Sequence, residues 1–453
     1  MTPVVQTVGL SIDLADLHRA NPPCYPHLLQ STAHGRYDIL FAFPGASLLL
    51  DAGGKLQRPD GCGPDGNDFL NSLDGWWQLL ATSSPDAYDL PFTGGWFIYL
   101  GYELAAQVEP RLQLPQPGGD LPIAVATRFA TAVIHDRERV LTHIVGETGQ
   151  EERVAEIAAD IEALPASRPK TATGIQVASV HEQAPQRYLD AVERIHDYIR
   201  EGDVFQVNLS RPWDIHFDQP VDAVTLFNNL GVHNPAPFSG LFSWQDTAVI
   251  SSSPERLVAV RDGVAATRPI AGTRPRSRSA AADAAFSSEL LAHPKERAEH
   301  IMLIDLERND LGRICVPGSI KVDELMVLES YAHVHHIVSN VRGRLRDSVR
   351  PGRVIRAMFP GGTITGCPKV RCMEIIAELE QAARDAYTGS MGYINRDGSM
   401  DLNILIRSMV SDGRRLRLRA GAGIVADSIA AAELDETRAK ARGMLRALGL
   451  DQA

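Results

Sequence analysis

Two pairs of glutamates are the residues of this chain whose spacing could do chemistry jointly. In HPKERAEHIMLIDLERND, Glu296 and Glu299 stand three apart; in SIAAAELDETRAKARGMLRALG, Glu433 and Glu436 repeat the spacing, with Lys440 one turn beyond. Residues three or four apart share one face of a helix, so each segment presents two carboxylates side by side. Taken singly, such a pair is most simply a solvated face with intrahelical ion pairs such as Glu436–Lys440. If the two faces converge, they suit a hard cation. Mg2+ takes one or two carboxylates and completes its shell with water and substrate oxygens. No His-rich or Cys-rich spacing competes for zinc or iron.

Two glycine segments come next. In MFPGGTITGCPKVRCMEII, Gly361 and Gly366 match half of a phosphate loop, but Cys367-Pro368 replaces the Lys-Ser/Thr that a nucleotide needs. A glycine turn feeding a helix opened by Pro368 exposes backbone N–H groups, which suits a carboxylate. RAGAG (419–423) reads as a second glycine turn. Four single residues add candidate roles. Glu255 follows a proline turn in SSSPERL, as a surface residue or a positioned acid. Arg407 is a charge inside the apolar strand pattern NILIRSMV, whose burial demands an anionic partner. His336, in SYAHVHHIVS, alternates with apolar residues as a hydrogen-bonded strand histidine does. Gln206 lies mid-strand in VFQVNLS. Between the arginines of TRPIAGTRPR, the centre Ala271 is chemically inert.

The elements that must position these residues are mixed. RYDILFAFP and ASLLLDAGG read as a strand pair, GGWFIYLGYELA as another strand, and EERVAEIAADIEAL as a helix with Val154, Ile157, Ile161 and Leu164 on one face. PASRPKTATG (165–174) reads as a linker or a surface loop. PQRYLDAVERIHDYIREGD gives a helix with Gly202 past its end. AVISSSPERLVAV is strand-like. Without regular β-α alternation, the 453 residues point to α+β. A net charge of −11 argues against a nucleic-acid or acidic-membrane partner, though a local cluster of cations still admits a small anion. No apolar window reaches membrane-spanning length, and the N-terminus lacks a basic region followed by an apolar core. The five cysteines are scattered, and 367/372 is not a CxxC spacing; reduced thiols and a cytoplasmic location are expected.

In order, GDVFQVNLS, SSPERL, PIAGTRPR, EHIMLIDLERNDLGR, YAHVHHIVS, FPGGTITGCPKVRCMEII, YTGSMGYI, ILIRS, GAGIVADS and AELDETRAKA resemble the chorismate-utilising enzymes over about 185–450. The resemblance implies one large α+β domain, two β-sheets packed face to face with helices outside. Residues 1–165 would form the N-terminal part of that fold and 175–450 the chorismate-binding catalytic region. It implies that Glu299 and Glu436 bind Mg2+, with Glu296 and Glu433 contacting its waters. Lys440 and the amides of Gly421 and Gly423 would assist the ring carboxylate of chorismate. Arg407 and Tyr387 would grip the enolpyruvyl carboxylate, and Gly272 and Thr273 would line the ring side. Glu255 would protonate the departing C4 hydroxyl, and His336 would sit near C2.

Water-using members resemble one another in a lysine base at the position of Gln206. The amide here implies ammonia, delivered by a separate glutamine amidotransferase subunit, since no glutaminase nucleophile is evident in this chain. RYDILFAFP, FQVNLS, NPAPFSGLF, YAHVHHIVS and MFPGGTITGCPK resemble the branch that aminates C4, aminodeoxychorismate synthase component I. LLQS (28–31) also lacks the glutamate of the feedback segment LLES. Ala271 resembles instead the PIAGT of the C2 branch, anthranilate synthase component I, because the C4 branch places a covalent lysine there.

Overall fold

The computed structural model describes residues 3–9, 12–33, 35–60, 62, 66–82, 89–165, 174–276, 279, 283, 285, 288–290, 292–330 and 334–450. Residues 166–173 of the expected linker 165–174 lie outside them, as do Tyr331, Ala332 and His333 of the SYAHVHHIVS segment.

Strands Tyr37–Leu50 and Ala124–Asp136 form a long antiparallel pair, with Tyr37 opposite Asp136 and Leu50 opposite Ala124. The two runs expected as separate strands, 36–44 and 46–54, are therefore one strand. Pro44 has no N–H to give the ladder, and a bulge between Pro44 and Ser47 absorbs it without reversing the chain. From this pair the sheet extends in two arms. One runs through His27–Gln30, Phe238–Trp244, Thr247–Ser253, Ser408–Ser411 and Arg415–Ile424 to Gln206–Phe217. The other runs through Gly95–Leu100, Ser390–Asn395, Met400–Asn403, Arg256–Arg261 and Val264–Thr267 to Val334–Arg344. Strands from the first 165 residues thus pair directly with strands beyond 175.

Every one of these pairings is antiparallel, and the class is α+β. Hydrogen bonds link the strands into one continuous network, in place of the two separate sheets expected. Its arms nevertheless share a core. Phe242 and Val249 from the first arm pack with Phe97, Tyr99 and Met391 from the second. The Tyr99 and Phe242 rings stack 4.5 Å apart although their strands are not hydrogen-bonded neighbours. Each large side chain buried there contributes roughly 2–3 kcal/mol.

Helices cover the outward faces. Leu14–Ala20, Glu151–Ala163, Ala223–His233 and Ala430–Ala447 pack on one arm, and Phe69–Leu80, Pro294–Gly312 and Pro351–Met358 on the other. In Ala430–Ala447, Leu434, Thr437, Ala441, Met444 and Leu445 are buried, which sets Glu433, Glu436 and Lys440 along the neighbouring face. Pro294 begins its helix where a missing N–H costs nothing. All five cysteines are free thiols; Cys62, Cys315 and Cys372 are buried, Cys24 and Cys367 half-buried. Among the described residues no helix is long and apolar enough to cross a membrane.

Candidate active site

Gln206 is the first residue of the Gln206–Phe217 strand, not a mid-strand residue. The strand lies beside Arg415–Ile424, with Asn208 opposite Gly423 and Ser210 opposite Gly421. RAGAG is accordingly part of a strand and not a turn. Its glycines serve close approach. A Cβ on Gly423 would strike the Gln206 amide, and one on Gly421 would stand 2.8 Å from the Tyr387 hydroxyl oxygen and 3.0 Å from Asn208 Oδ1.

The two glutamate-bearing helices converge beside these glycines. Gln206 Nε2 donates to Glu299 Oε1 at 2.7 Å. Burial raises the Glu299 carboxyl above the usual carboxylate range, and the neighbouring charges of Glu296 and Glu436 add to the rise. The Gln206 amide and Lys440 oppose it. Lys440 pairs with Glu436 at 2.6 Å and donates to the Gly421 carbonyl at 3.0 Å. Burial raises the Tyr188 hydroxyl, and the charges of Glu433 and Glu436 add to the rise. Among the described residues no three His, Cys, Asp or Glu side chains stand together at metal-ligand spacing. The donor chemistry itself fits a hard divalent cation. Glu299 and Glu436 carry oxygen donors, and their mutual repulsion would be relieved by positive charge between them.

The wall opposite is built on a bulge. Ala271 pairs with Ile337 and Thr273 with His336, and the register shifts at Gly272, whose φ is +64°. A Cβ there would lie 2.7 Å from Leu290 Cδ1 and 2.8 Å from Glu296 Oε2, so glycine meets both a backbone and a space requirement. The side chain of Thr273 lies outside the described residues. Ala271 is buried. Burial pushes His336 down to about 4, leaving a neutral imidazole. Its Nδ1 lies 3.3 Å from the Gly272 carbonyl. Donation there makes Nε2 the basic nitrogen.

Glu255 sits where the Thr247–Ser253 strand gives way to Arg256–Arg261, its N–H donating to Ser253 Oγ at 3.2 Å and its carbonyl accepting from the Ile404 amide at 3.0 Å. The side chain is 5% exposed. Burial pushes its carboxyl up to about 7, against the opposing pull of the Thr363 hydroxyl, the Ile270 backbone, Arg407 and Lys440. Arg407 is not inside a strand. It occupies the gap between Met400–Asn403 and Ser408–Ser411, with φ of +53° and its carbonyl accepting from the Ser252 amide at 3.1 Å. Burial lowers the pKa of its guanidinium, while Tyr387, Glu436 and Glu255 supply the negative side of its surroundings. Burial raises the Tyr387 hydroxyl.

Contacts join Gln206, Glu299, Gly421, Gly423, Tyr387, Glu436 and Lys440, and the Gly272 bulge beside His336 meets Glu296 of the Glu299 helix. Glu255 and Arg407 lie within electrostatic reach of Lys440 and Glu436. Sequence reading missed the supports. Glu380 is buried between Arg384 and Arg419, 2.6 Å from each, and the Arg384 guanidinium lies 5.5 Å from the centre of the Tyr387 ring. The signal was an arginine row, RLRLRAG, in a strand that also carries the glycines. Glu307, Asp310 and Lys369 were missed too, although LERND and GCPK lay inside the quoted segments.

A sequence profile of chorismate binding enzymes matches residues 37–446. An "anthranilate synthase component I-like protein" of Synechocystis sp. is 41% identical over 449 residues, covering 97% of this chain and 87% of its own length. The "aminodeoxychorismate synthase component 1" of Bacillus subtilis is 37% identical over 443 residues, covering 94% and 92%. The crystal structure of anthranilate synthase component I from Streptococcus pneumoniae superimposes with a TM-score of 0.79 at 30% identity, covering 90% of this chain and 92% of that one. From glycine row to buried acid, this chain is a member of the chorismate binding enzyme family.

Proposed function

We propose that this protein aminates chorismate at C4 with ammonia in the cytoplasm, giving 4-amino-4-deoxychorismate for 4-aminobenzoate synthesis. Gln206 carries the choice of nucleophile. Its amide nitrogen is a donor with no proton-accepting capacity, and it is committed to Glu299. Water needs a base at that point; ammonia arrives as one. A separate glutamine amidotransferase subunit supplies it.

In this reading Glu299 and Glu436 would hold Mg2+, Glu296 and Glu433 would contact its waters, and the bound ion would supply positive charge to the ring carboxylate. Lys440 and the amides of Gly421 and Gly423 complete that end. Arg407 and Tyr387 hold the enolpyruvyl carboxylate, and Gly272 and Thr273 flank the ring. Glu255 protonates the C4 oxygen as the C–O bond breaks, so that water leaves and not hydroxide. His336 stands near C2 as a neutral base.

C4 is favoured by the segments RYDILFAFP, FQVNLS, NPAPFSGLF, YAHVHHIVS and MFPGGTITGCPK, which resemble that branch. LLQS supports it further: Gln30 donates to Asp38 at 3.3 Å where the feedback segment would carry a glutamate. Ala271 supports a second reading, amination at C2 with loss of pyruvate, because no ε-amino group is present to add at C2 first. The test is incubation of the purified chain with chorismate, Mg2+ and ammonium. Product that a 4-amino-4-deoxychorismate lyase converts to 4-aminobenzoate supports the proposal; anthranilate overturns it. Ala271→Lys should change the product ratio, at a packing cost of about 1–3 kcal/mol in the buried position. A wild-type product ratio would show that position 271 does not select the carbon.

A further inference from the structure

The proposed chemistry names no group that holds the nucleophile, and one strand face offers such a group. Gln206, Asn208 and Ser210 alternate onto a single face of the Gln206–Phe217 strand. Residues directly opposite in an antiparallel pair share a face, so Gly423 and Gly421 belong to it too. The Gln206 amide occupies the space over Gly423. Over Gly421, Asn208 Oδ1 and the Tyr387 hydroxyl oxygen flank one point, 3.0 and 2.8 Å from where a Cβ would stand. The main chain of Asn208 is fully used. Its N–H donates to the Thr365 carbonyl at 2.9 Å, and its carbonyl accepts from Arg384 Nη2 at 2.8 Å.

The two amides share an unused acceptor. Gln206 Oε1 and Asn208 Oδ1 are both buried, and neither has a hydrogen-bond partner among the described residues. Gln206 gives its Nε2 to Glu299, which turns its Oε1 away from that carboxylate. A buried carbonyl oxygen without a donor is costly, and a ligand carrying N–H or O–H groups relieves that cost.

The reactants differ in what they can give these oxygens. Chorismate brings two carboxylates, which only accept, and one donor, the C4 hydroxyl, which the proposed chemistry places at Glu255. Ammonia brings three N–H donors and a lone pair that must face the ring. Neutral acceptors suit it better than a carboxylate would. A negative charge favours ammonium, whose lone pair is already spent on a proton.

We propose that Asn208 binds the ammonia nucleophile, its Oδ1 accepting an N–H so that the nitrogen lone pair is free to face the ring. Gln206 Oε1 is a second neutral acceptor on the same face. This rests on the reading of ammonia as the nucleophile, and it holds for either carbon. The lone pair forms the C–N bond, the C–O electron pair leaves with the Glu255 proton as water, and the nitrogen keeps its three hydrogens as an ammonium group.

The test uses the full chain at one fixed pH. Ammonium is varied at saturating chorismate and Mg2+, then chorismate is varied at saturating ammonium. In Asn208→Leu, which keeps the volume and removes the acceptor, the KM for ammonium should rise on the order of tenfold. The KM for chorismate should stay within about twofold of wild type, and Mg2+ should raise the Tm as it does in wild type. Asn208→Ser, which restores a shorter acceptor, should recover part of the ammonium affinity; it carries the test if the leucine variant does not fold. An unchanged KM for ammonium overturns the proposal. So does a rise in the KM for chorismate alone or loss of the Mg2+-induced Tm shift, since Asn208 would then serve chorismate or the waters of the metal. A hydroxylated product formed without ammonium is the separate failure of the ammonia reading, and it overturns this inference with it.

Discussion

Glu255→Gln is expected to lower chorismate turnover by roughly 10³-fold near pH 6.5, the range expected when a positioned general acid is lost. The amide fills the same space and accepts the same neighbours but has no proton to give. Wild-type activity should fall as pH rises through about 7, where the raised carboxyl ionises, and that limb should be missing from the residual activity of the variant. Stability should fall over the same rise in pH. The folded-state value of about 7 lies above the ordinary 4.5, so the folded protein binds this proton more tightly than the unfolded chain. That contribution is fully present below pH 4.5, falls between 4.5 and 7, and is gone above 7. At pH 8 the wild type therefore carries a penalty on the order of 3 kcal/mol that the glutamine variant escapes. Denaturant titration at pH 5 and pH 8 measures it. Wild type and variant with the same pH slope would contradict the burial account of Glu255.

Glu299→Gln is the second large effect. Loss of outer partners of a metal site costs roughly 10- to 100-fold, and loss of a direct carboxylate ligand should cost more. Mg2+-dependent turnover should be abolished. The fold should survive, because the substitution removes a charge that Glu296 and Glu436 already disfavour. A readout independent of turnover separates the two consequences. Mg2+ should raise the Tm of wild type, as any ligand of the native state does, and leave the Tm of the variant unmoved. Retained turnover, or an equal Mg2+-induced shift in both proteins, would refute the assignment of Glu299.

What could be read from the sequence depended on how local its cause was. The ExxE pairs were visible because three-residue spacing alone puts two carboxylates on one helix face; their convergence required the fold. The helices over 151–163 and 185–200 followed from periodicity, and Gly202, with φ of +84°, lies just past the end of the second as its position suggested. RAGAG looked like a turn because the close approach of Gln206 and Tyr387, which the glycines permit, comes from residues far away in the chain. Arg407 looked like a strand residue because its left-handed backbone leaves no mark in an apolar pattern. Pro44 suggested a break where the partner strand tolerates a bulge. Glu307 and Asp310 were missed because the lysine that pairs with Asp310 lies 59 positions further on and approaches from another helix.

The most direct measurement is pyruvate release by the purified chain alone, supplied with chorismate, Mg2+ and ammonium and with no lyase present. Amination at C4 leaves the enolpyruvyl group in place, so chorismate should disappear without pyruvate, and the product should yield 4-aminobenzoate only when a lyase is added. Pyruvate formed in step with chorismate loss, together with anthranilate, would contradict the account.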